Sequence, residues 1–363
     1  MKYQVAIGKY PDLKGVLDKI GGLGNFIKKN ERVFIKPNIC APRSSDTGAV
    51  TSPGLIEELI VLLKEITQNI QIGDSSISEF RGLEAIKVSG IYDVAVKHGV
   101  EVIDLTAAPK AERGPFIISK PILDADKIIN VPVLKTHEVT GVTISLKNMM
   151  GIIPGHLKTD LHKIGLADSL VRLAQIIKPH LNIVDAGVCQ EGRGPLNGTP
   201  KNLGLLVAGD NQVAVDAVCC KIMGISPRMI QHIRLAEKAG LGSTDDIDIA
   251  GFKEEYVDKF NLPITYKNWI LRFGMQLSDS GFKRFIEKNN KIEINSNKCS
   301  RCGLCVKTCP VGAMTMTTSG PAVDYKKCIF CLCCYETCLP DAIKIKEPLG
   351  WLLNFIRKIG GFN

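Results

Sequence analysis

The sequence contains no apolar run approaching the roughly 20 residues that a bilayer-crossing helix requires, so a membrane-spanning helix is not expected. It also lacks a positively charged then apolar leader at Met1–Tyr10, and its cysteines are not the even scatter of a short secreted disulfide scaffold. The address these features point to is the reducing cytoplasm. No G-x-x-x-x-G-K-[ST] occurs, and Gly22-Leu23-Gly24 neither follows a strand pattern nor continues as G-x-G-x-x-G, so the familiar nucleotide-binding fingerprints are absent. No groove-reading or RNA-binding motif is found either, which argues against a nucleic-acid partner. What is not lacking is apolar material: 45% of the 363 residues are hydrophobic and 23% charged, ordinary values for a globular protein with a sizeable core.

Nine of the thirteen cysteines fall between Cys299 and Cys338, while Cys40, Cys189, Cys219 and Cys220 are scattered. Cys299, Cys302, Cys305 and Cys309 follow C-x2-C-x2-C-x3-C, and Cys328, Cys331, Cys334 and Cys338 repeat that spacing 29 residues later. Each half also carries a short apolar strand, Met314–Met316 and Ile343–Ile345. Three thiolates at x2 spacing in a tight loop reach three corners of one iron–sulfur cube, and the fourth cysteine lies too far along to turn back. The expected ligand sets are therefore crossed: Cys299, Cys302, Cys305 and Cys338 for one cluster, and Cys328, Cys331, Cys334 and Cys309 for the other. Two tetrahedral zinc sites do not suit this spacing. Cys333, beside Cys334, is an extra thiol that could compete as a ligand, since Cys334 is chosen on spacing alone; it is read as a buried non-ligand. The region resembles the bacterial-type ferredoxins with two [4Fe–4S] clusters, over about 50 residues, which implies one-electron transfer. Leu339 intervenes before Pro340 in the second half, where Pro310 follows Cys309 directly in the first.

Upstream, short β-branched runs alternate with helix-like stretches. Val5–Ile7, Val33–Ile35, Ile70–Ile72, Val100–Ile103, Lys127–Val131, Leu181–Val184 and Leu203–Val207 read as buried strands; Gly54–Ile66 after Ser52-Pro53, Asp168–Ile177 and Val213–Met223 read as helices. This order predicts a large α/β domain with a mostly parallel sheet and helices on both faces, followed by a small α+β ferredoxin-like domain. The boundaries are 1–263 for the α/β domain, 264–290 for an amphipathic connector, 291–347 for the two-cluster domain and 348–363 for an amphipathic tail. Trp269, Phe273 and Leu277 in the connector and Trp351, Phe355 and Ile359 in the tail form short apolar stripes beside basic residues. They suit covering the small ferredoxin core, or a peripheral contact with an anionic membrane on the inner face. Of the net charge of +9, +8 lies in residues 264–363. With eight thiolates on two clusters contributing about −4, a surplus of about +4 remains, which favours an acidic redox partner protein or an anionic surface.

In an open α/β sheet the binding crevice lies beyond the carboxyl ends of the strands. Lys36, Lys135 and Lys147 at or near those ends make a site for a carboxylate or phosphate, or else are solvated loop lysines. Asn38 and Asp185 join them as candidate binding groups. His137 is the candidate proton donor, since reducing an organic substrate needs protons as well as electrons, and Asp74 the candidate orienting carboxylate. An aspartate in such a position also often caps the next helix. Cys40 is a candidate reactive thiol, and His156, Asp160 and His162 could contribute to a mononuclear metal site. The glycines of E-G-R-G-P-L-N-G at 191–198 permit close approach of a ligand or form an ordinary irregular loop.

The stretches K-P-N at 36–38, T-S-P at 51–53, G-D-S at 73–75, L-K-T-H at 134–137, S-L-K-N-M-M-G at 145–151, V-D-A-G at 184–187 and A-V-D-A-V at 214–218 together resemble the domain of unknown function 362 family, over roughly residues 30–220. That family often carries a ferredoxin module in the same chain, and the resemblance implies no established reaction. Two functions follow as expectations. One is an oxidoreductase that passes electrons from two [4Fe–4S] clusters to a small anionic substrate, or to a bound anionic cofactor such as a flavin. The alternative is a non-catalytic electron carrier or subunit docking to a larger redox complex.

Overall fold

The computed structural model describes residues 2–77, 82–155, 157–267 and 291–346. The chain divides into two compact units, Met1–Ile264 and Thr265–Asn363. The two tryptophan stripes, at 269–277 and 351–359, lie outside the described residues, as does His156. No helix among the described residues is long and apolar enough to cross a membrane.

The large unit is built on a sheet of ten strands: β1 (Tyr3–Lys9), β2 (Val33–Pro37), β3 (Ile70–Asp74), β4 (Glu101–Asp104), β7 (Lys127–Val131), β8 (Val133–His137), β9 (Gly141–Thr143), β10 (Leu181–Glu191), β11 (Thr199–Gly209) and β12 (Ile247–Ala250), with β5 (Lys110–Arg113) and β6 (Phe116–Ser119) forming a separate hairpin. The order is β12-β1-β11-β10-β7-β2-β3-β4, and β8 pairs with β10 and β9. Parallel pairing dominates, and the antiparallel contacts are β1 with β11, β10 with β11 and β8 with β9. Because side chains alternate across a strand, Val33 and Ile35 face one core and Phe34 the other. The helix Pro53–Lys64 buries Leu55, Ile56, Leu59, Ile60 and Leu63 against the first face, and the helix Leu166–Ile176 buries Leu170 and Leu173 against the second. Helices therefore cover both faces of a mostly parallel sheet.

One departure from the sequence reading shapes the site. Lys135-Thr136-His137 is not a loop after a strand but the second half of β8. Pro132 has no N–H and interrupts the ladder, yet its carbonyl accepts from Asp185 N at 2.8 Å, and pairing with β10 resumes at Val133. Lys135 thus sits inside a strand, and Lys147 lies in the short helix Ser145–Asn148.

In the small unit, β13 (Lys291–Ile294) pairs antiparallel with β16 (Ile343–Lys346), and β14 (Met314–Thr317) with β15 (Gly320–Val323). The duplication is visible atom by atom. Ala313 N donates to Cys309 Sγ at 3.1 Å and Ala342 N to Cys338 Sγ at 3.2 Å, while Thr308 and Thr337 meet hydroxyl to hydroxyl at 3.2 Å. Left-handed backbone recurs too: Arg301 and Gly303 in one loop match Phe330 and Leu332 in the other. Tight C-x2-C loops demand those conformations, and Leu332 adopts one where the first half spends a glycine.

Candidate functional site

Two sets of four cysteines each line a cavity in the small unit. Cys299, Cys302, Cys305 and Cys338 line one cavity of about 330 Å³, counting its open part, with Arg301, Leu304 and Ile343 among its walls. Cys309, Cys328, Cys331 and Cys334 line the other, of about 310 Å³, with Ile292, Val311 and Leu332. Each loop's three nearby thiols are joined by the fourth cysteine of the other half, the crossed grouping that the spacing predicts. Soft thiol donors in largely apolar walls fit an iron–sulfur cluster. Cys333 is buried and lies outside both linings. The first cavity has the more open rim, since Cys302 and Arg301 are exposed.

In the large unit, the ends of β2 and β3 converge on buried charge. Lys36, 0% exposed, places Nζ 2.8 Å from Asp74 Oδ1 and donates to Pro37 O at 2.7 Å and Asn148 Oδ1 at 3.4 Å. These three acceptors use all three of its N–H groups. Burial lowers the Lys36 ammonium below the ordinary lysine range even with Asp74 beside it. Asp74 also accepts from Ile39 N at 2.6 Å and Ser75 N at 2.8 Å. Gly151 closes the back of this pair: a Cβ there would stand 2.2 Å from Asp74 Oδ1 and 2.5 Å from Lys36 Nζ.

Lys135, also 0% exposed, reaches toward the same loops, with Nζ 3.3 Å from Cys40 Sγ and 2.5 Å from Ala49 O. Lys158, on the helix Leu157–Ile164, donates to Ser75 O and, at 2.8 Å, to Ser76 O. Burial, only partly offset by Asp74, brings the Lys158 ammonium down to about 7, and the Lys36 and Lys147 charges push the same way. Among the described residues neither Lys135 nor Lys158 has a carboxylate at ion-pair distance. These are not solvated loop lysines. Cys40 is half-buried at the edge of the cluster, and its thiol lies 3.3 Å from Ala49 O.

His137 is buried, and its Nδ1 accepts from Val139 N at 3.2 Å and Thr140 N at 3.4 Å, which leaves the proton on Nε2. Burial first, then the Lys147 charge, holds its pKa well below the usual imidazole value. His162 and His232 are brought down to about 3 by the same two causes. A neutral His137 is a hydrogen-bond donor through Nε2, not an imidazolium acid. Lys147 itself is half-buried, with Nζ 3.3 Å from Met150 Sδ. Asp160 is paired with Lys163 at 2.7 Å, and the positive charge of Lys147 acting on His162 opposes a cation there.

Other candidates serve the scaffold. Asp185 Oδ2 accepts from Ser52 N at 2.7 Å and Oδ1 from Gly187 N at 3.1 Å, which ties the start of the helix Pro53–Lys64 to β10. Burial raises its pKa to about 6 against those two bonds. Asn38 is locked by its backbone to Thr51, while its buried side-chain Oδ1 has no partner among the described residues. The glycine-rich loop packs on β8: a Cβ on Gly194 would stand 1.9 Å from Thr136 O. Its close approach is therefore to the chain's own backbone.

Two residues escaped the sequence reading. Lys158 follows no strand, and nothing in its local pattern marks it. Asp216 lies inside A-V-D-A-V, and a carboxylate amid the apolar run Val213–Cys220 is the available signal. It accepts from Ser145 N at 2.7 Å and Leu146 N at 3.2 Å, so it fixes the turn that carries Lys147 and Asn148. Burial raises it to about 7.

Residues 33–221 match the family model described as Domain of unknown function (DUF362), and residues 292–315 match that of the 4Fe-4S binding domain. Over 265 residues the chain is 29% identical to the Thylakoid-associated protein sll1697 of Synechocystis sp., covering 69% of this chain and 82% of that protein. Among solved structures, the lactate racemase apoprotein from Thermoanaerobacterium thermosaccharolyticum aligns with a TM-score of 0.39 at 14% identity, over 56% of this chain and about half of that one, 52%.

Proposed function

We propose, on the premise that the chain belongs to the Domain of unknown function (DUF362) family and carries an iron–sulfur electron-transfer module, that it is an oxidoreductase acting on a small anionic substrate held in the large unit. The observation that carries this reading is the pair of buried ammonium groups, Lys135 and Lys158, without carboxylate partners at ion-pair distance among the described residues. Burying a charge is costly unless something pairs with it, so a site built this way anticipates an anion. A docking domain needs no such arrangement.

The roles divide by geometry. Lys135 and Lys158 hold the anionic group, and the Lys36–Asp74 pair braces the loops beneath them. Lys158, with its proton held near neutrality, is the better acid than His137. The eight cysteines lining the two cavities would hold two [4Fe–4S] clusters, which supply one-electron transfer when bound. A two-electron reduction then takes two electrons from that module and two protons from the site or solvent. The anion is the substrate, or alternatively the phosphate of a bound flavin.

Electrons exchange with a redox partner protein at the rim of the first cavity, where Arg301, Lys298 and Lys307 are exposed and suit an acidic surface. Peripheral attachment to a membrane is the second reading, favoured by the relative described as thylakoid-associated. Anaerobic purification followed by extraction tests the main proposal. A small anion or flavin released from the parent protein and missing from Lys135→Met supports it. The absence of any such ligand, with reoxidation only by a protein partner, would move the protein to the carrier class.

A further inference from the structure

We infer that the Lys135–Lys158 site is built for a divalent oxyanionic group, a phosphate monoester or a dicarboxylate, and not for a single carboxylate. The inference deepens the proposed function and rests on its reading of these lysines as an anion site.

Charge and hydrogen-bond accounting carry the argument. Lys36 is satisfied three times over by Asp74, Pro37 O and Asn148, and with Asp74 it forms a neutral pair. Lys135 has two partners, Cys40 Sγ and Ala49 O, and Lys158 has two, Ser75 O and Ser76 O. All four of those partners are uncharged groups or a thiol, and each ammonium has a third N–H to give. The protonated site therefore carries two positive charges, and the carboxylate that acts on Lys158, Asp74, is already paired with Lys36.

The two loops beneath are fastened to each other, Ile39 N donating to Asp74 Oδ2 at 2.6 Å and Ile77 N to Cys40 O at 2.9 Å. On these same loops, the Ser76 hydroxyl and the Asn38 side-chain carbonyl are more than nine-tenths buried and have no partner among the described residues. The hydroxyl is a neutral donor for an oxyanion beside the two ammonium groups, and the carbonyl would accept from a hydroxyl or protonated oxygen on the ligand. A monoanion leaves one of the two charges uncompensated, whereas a dianion neutralises both.

The test is calorimetric titration of the full-length chain with its clusters reconstituted anaerobically, at pH 6.5 and constant ionic strength. Sulfate, inorganic phosphate, malonate and acetate are the probes. Sulfate or malonate should bind at least tenfold more tightly than acetate. The ratio of sulfate to malonate distinguishes a tetrahedral dianion from two carboxylates. Lys135→Met and Lys158→Met should each remove that preference, while Lys178→Met, an exposed lysine outside the site, should leave it intact. Either variant suffices if the other does not fold. Acetate binding as tightly as the dianions would overturn the inference and leave the anion site standing. No anion binding at all, with the clusters intact, would overturn both.

Discussion

Replacing Asp74 by alanine strands the Lys36 ammonium at 0% exposure and removes the acceptor of Ile39 N, while Ser75 N keeps Gly151 O at 3.2 Å. Breaking a buried ion pair from one side costs about 3–5 kcal/mol, and each orphaned buried N–H adds about 1–3 kcal/mol. The sum is limited by neutralisation of Lys36, which burial already favours. About 5 kcal/mol is the expected loss, a large share of the roughly 5–15 kcal/mol that a domain possesses. Lys36→Met leaves Asp74 buried but still bonded to two backbone N–H groups, and should cost about 3 kcal/mol. The double variant has no stranded charge, so its cost should fall below the sum by about 2–3 kcal/mol. Urea unfolding of the full chain, followed by far-ultraviolet circular dichroism, gives all three numbers, while visible absorbance reports the cluster module separately. Single costs under about 1 kcal/mol, or strict additivity, would mean that the pair does not brace the site.

Cys309→Ala should remove the cluster bounded by Cys328, Cys331 and Cys334, lowering iron from about eight to about four per chain, and Cys338→Ala should remove the other. Electron paramagnetic resonance of the two variants distinguishes the clusters, and damage confined to each cysteine's own half of the sequence would refute the crossed grouping. Dianion affinity should depend on pH through Lys158, whose pKa burial holds at about 7. Below that value the ammonium is already formed; above it binding must take up a proton, so affinity should fall about tenfold per pH unit until the pKa of the bound state is passed. Calorimetry in buffers of different ionisation enthalpy reads the proton directly, and a flat profile matching that of Lys158→Met would contradict the assignment. Salt-sensitive sedimentation with anionic liposomes, lost on deleting residues after Pro348, would establish membrane contact; no binding, with loss of clusters on deletion, would assign the tail to packing.

Much of the site was legible because its chemistry follows strand ends. Lys36 stands one residue before the end of β2 and Asp74 ends β3, and parallel strands bring consecutive carboxyl ends to one crevice. The repeated cysteine spacing likewise carries its own geometry, since a three-residue step in a tight loop leaves little freedom. What spacing does not encode is which elements fold back over the crevice. Lys158 comes from a helix 84 residues beyond Asp74, and only tertiary structure brings it to Ser75 and Ser76. Burial was also hidden: nothing local separates a solvated lysine from Lys135 inside β8, because pairing with β10 beyond Pro132 decides it. The low proton affinity of His137 was hidden for the same reason, being set by burial and by Lys147 on another element.

The central claim is that electrons from the cysteine module reach an anion held by Lys135 and Lys158. Stopped-flow reoxidation of the photoreduced protein under anaerobic conditions tests it most directly, using the anionic fraction of a small-molecule cell extract beside the neutral and cationic fractions. The account predicts rapid reoxidation by the anionic fraction alone, slowed at least tenfold in Lys135→Met and Lys158→Met, which is about 1.4 kcal/mol or more in the barrier, while iron content and the spectrum of the reduced state stay unchanged. Equal reoxidation by all three fractions, or rates indifferent to both lysine variants, would contradict it.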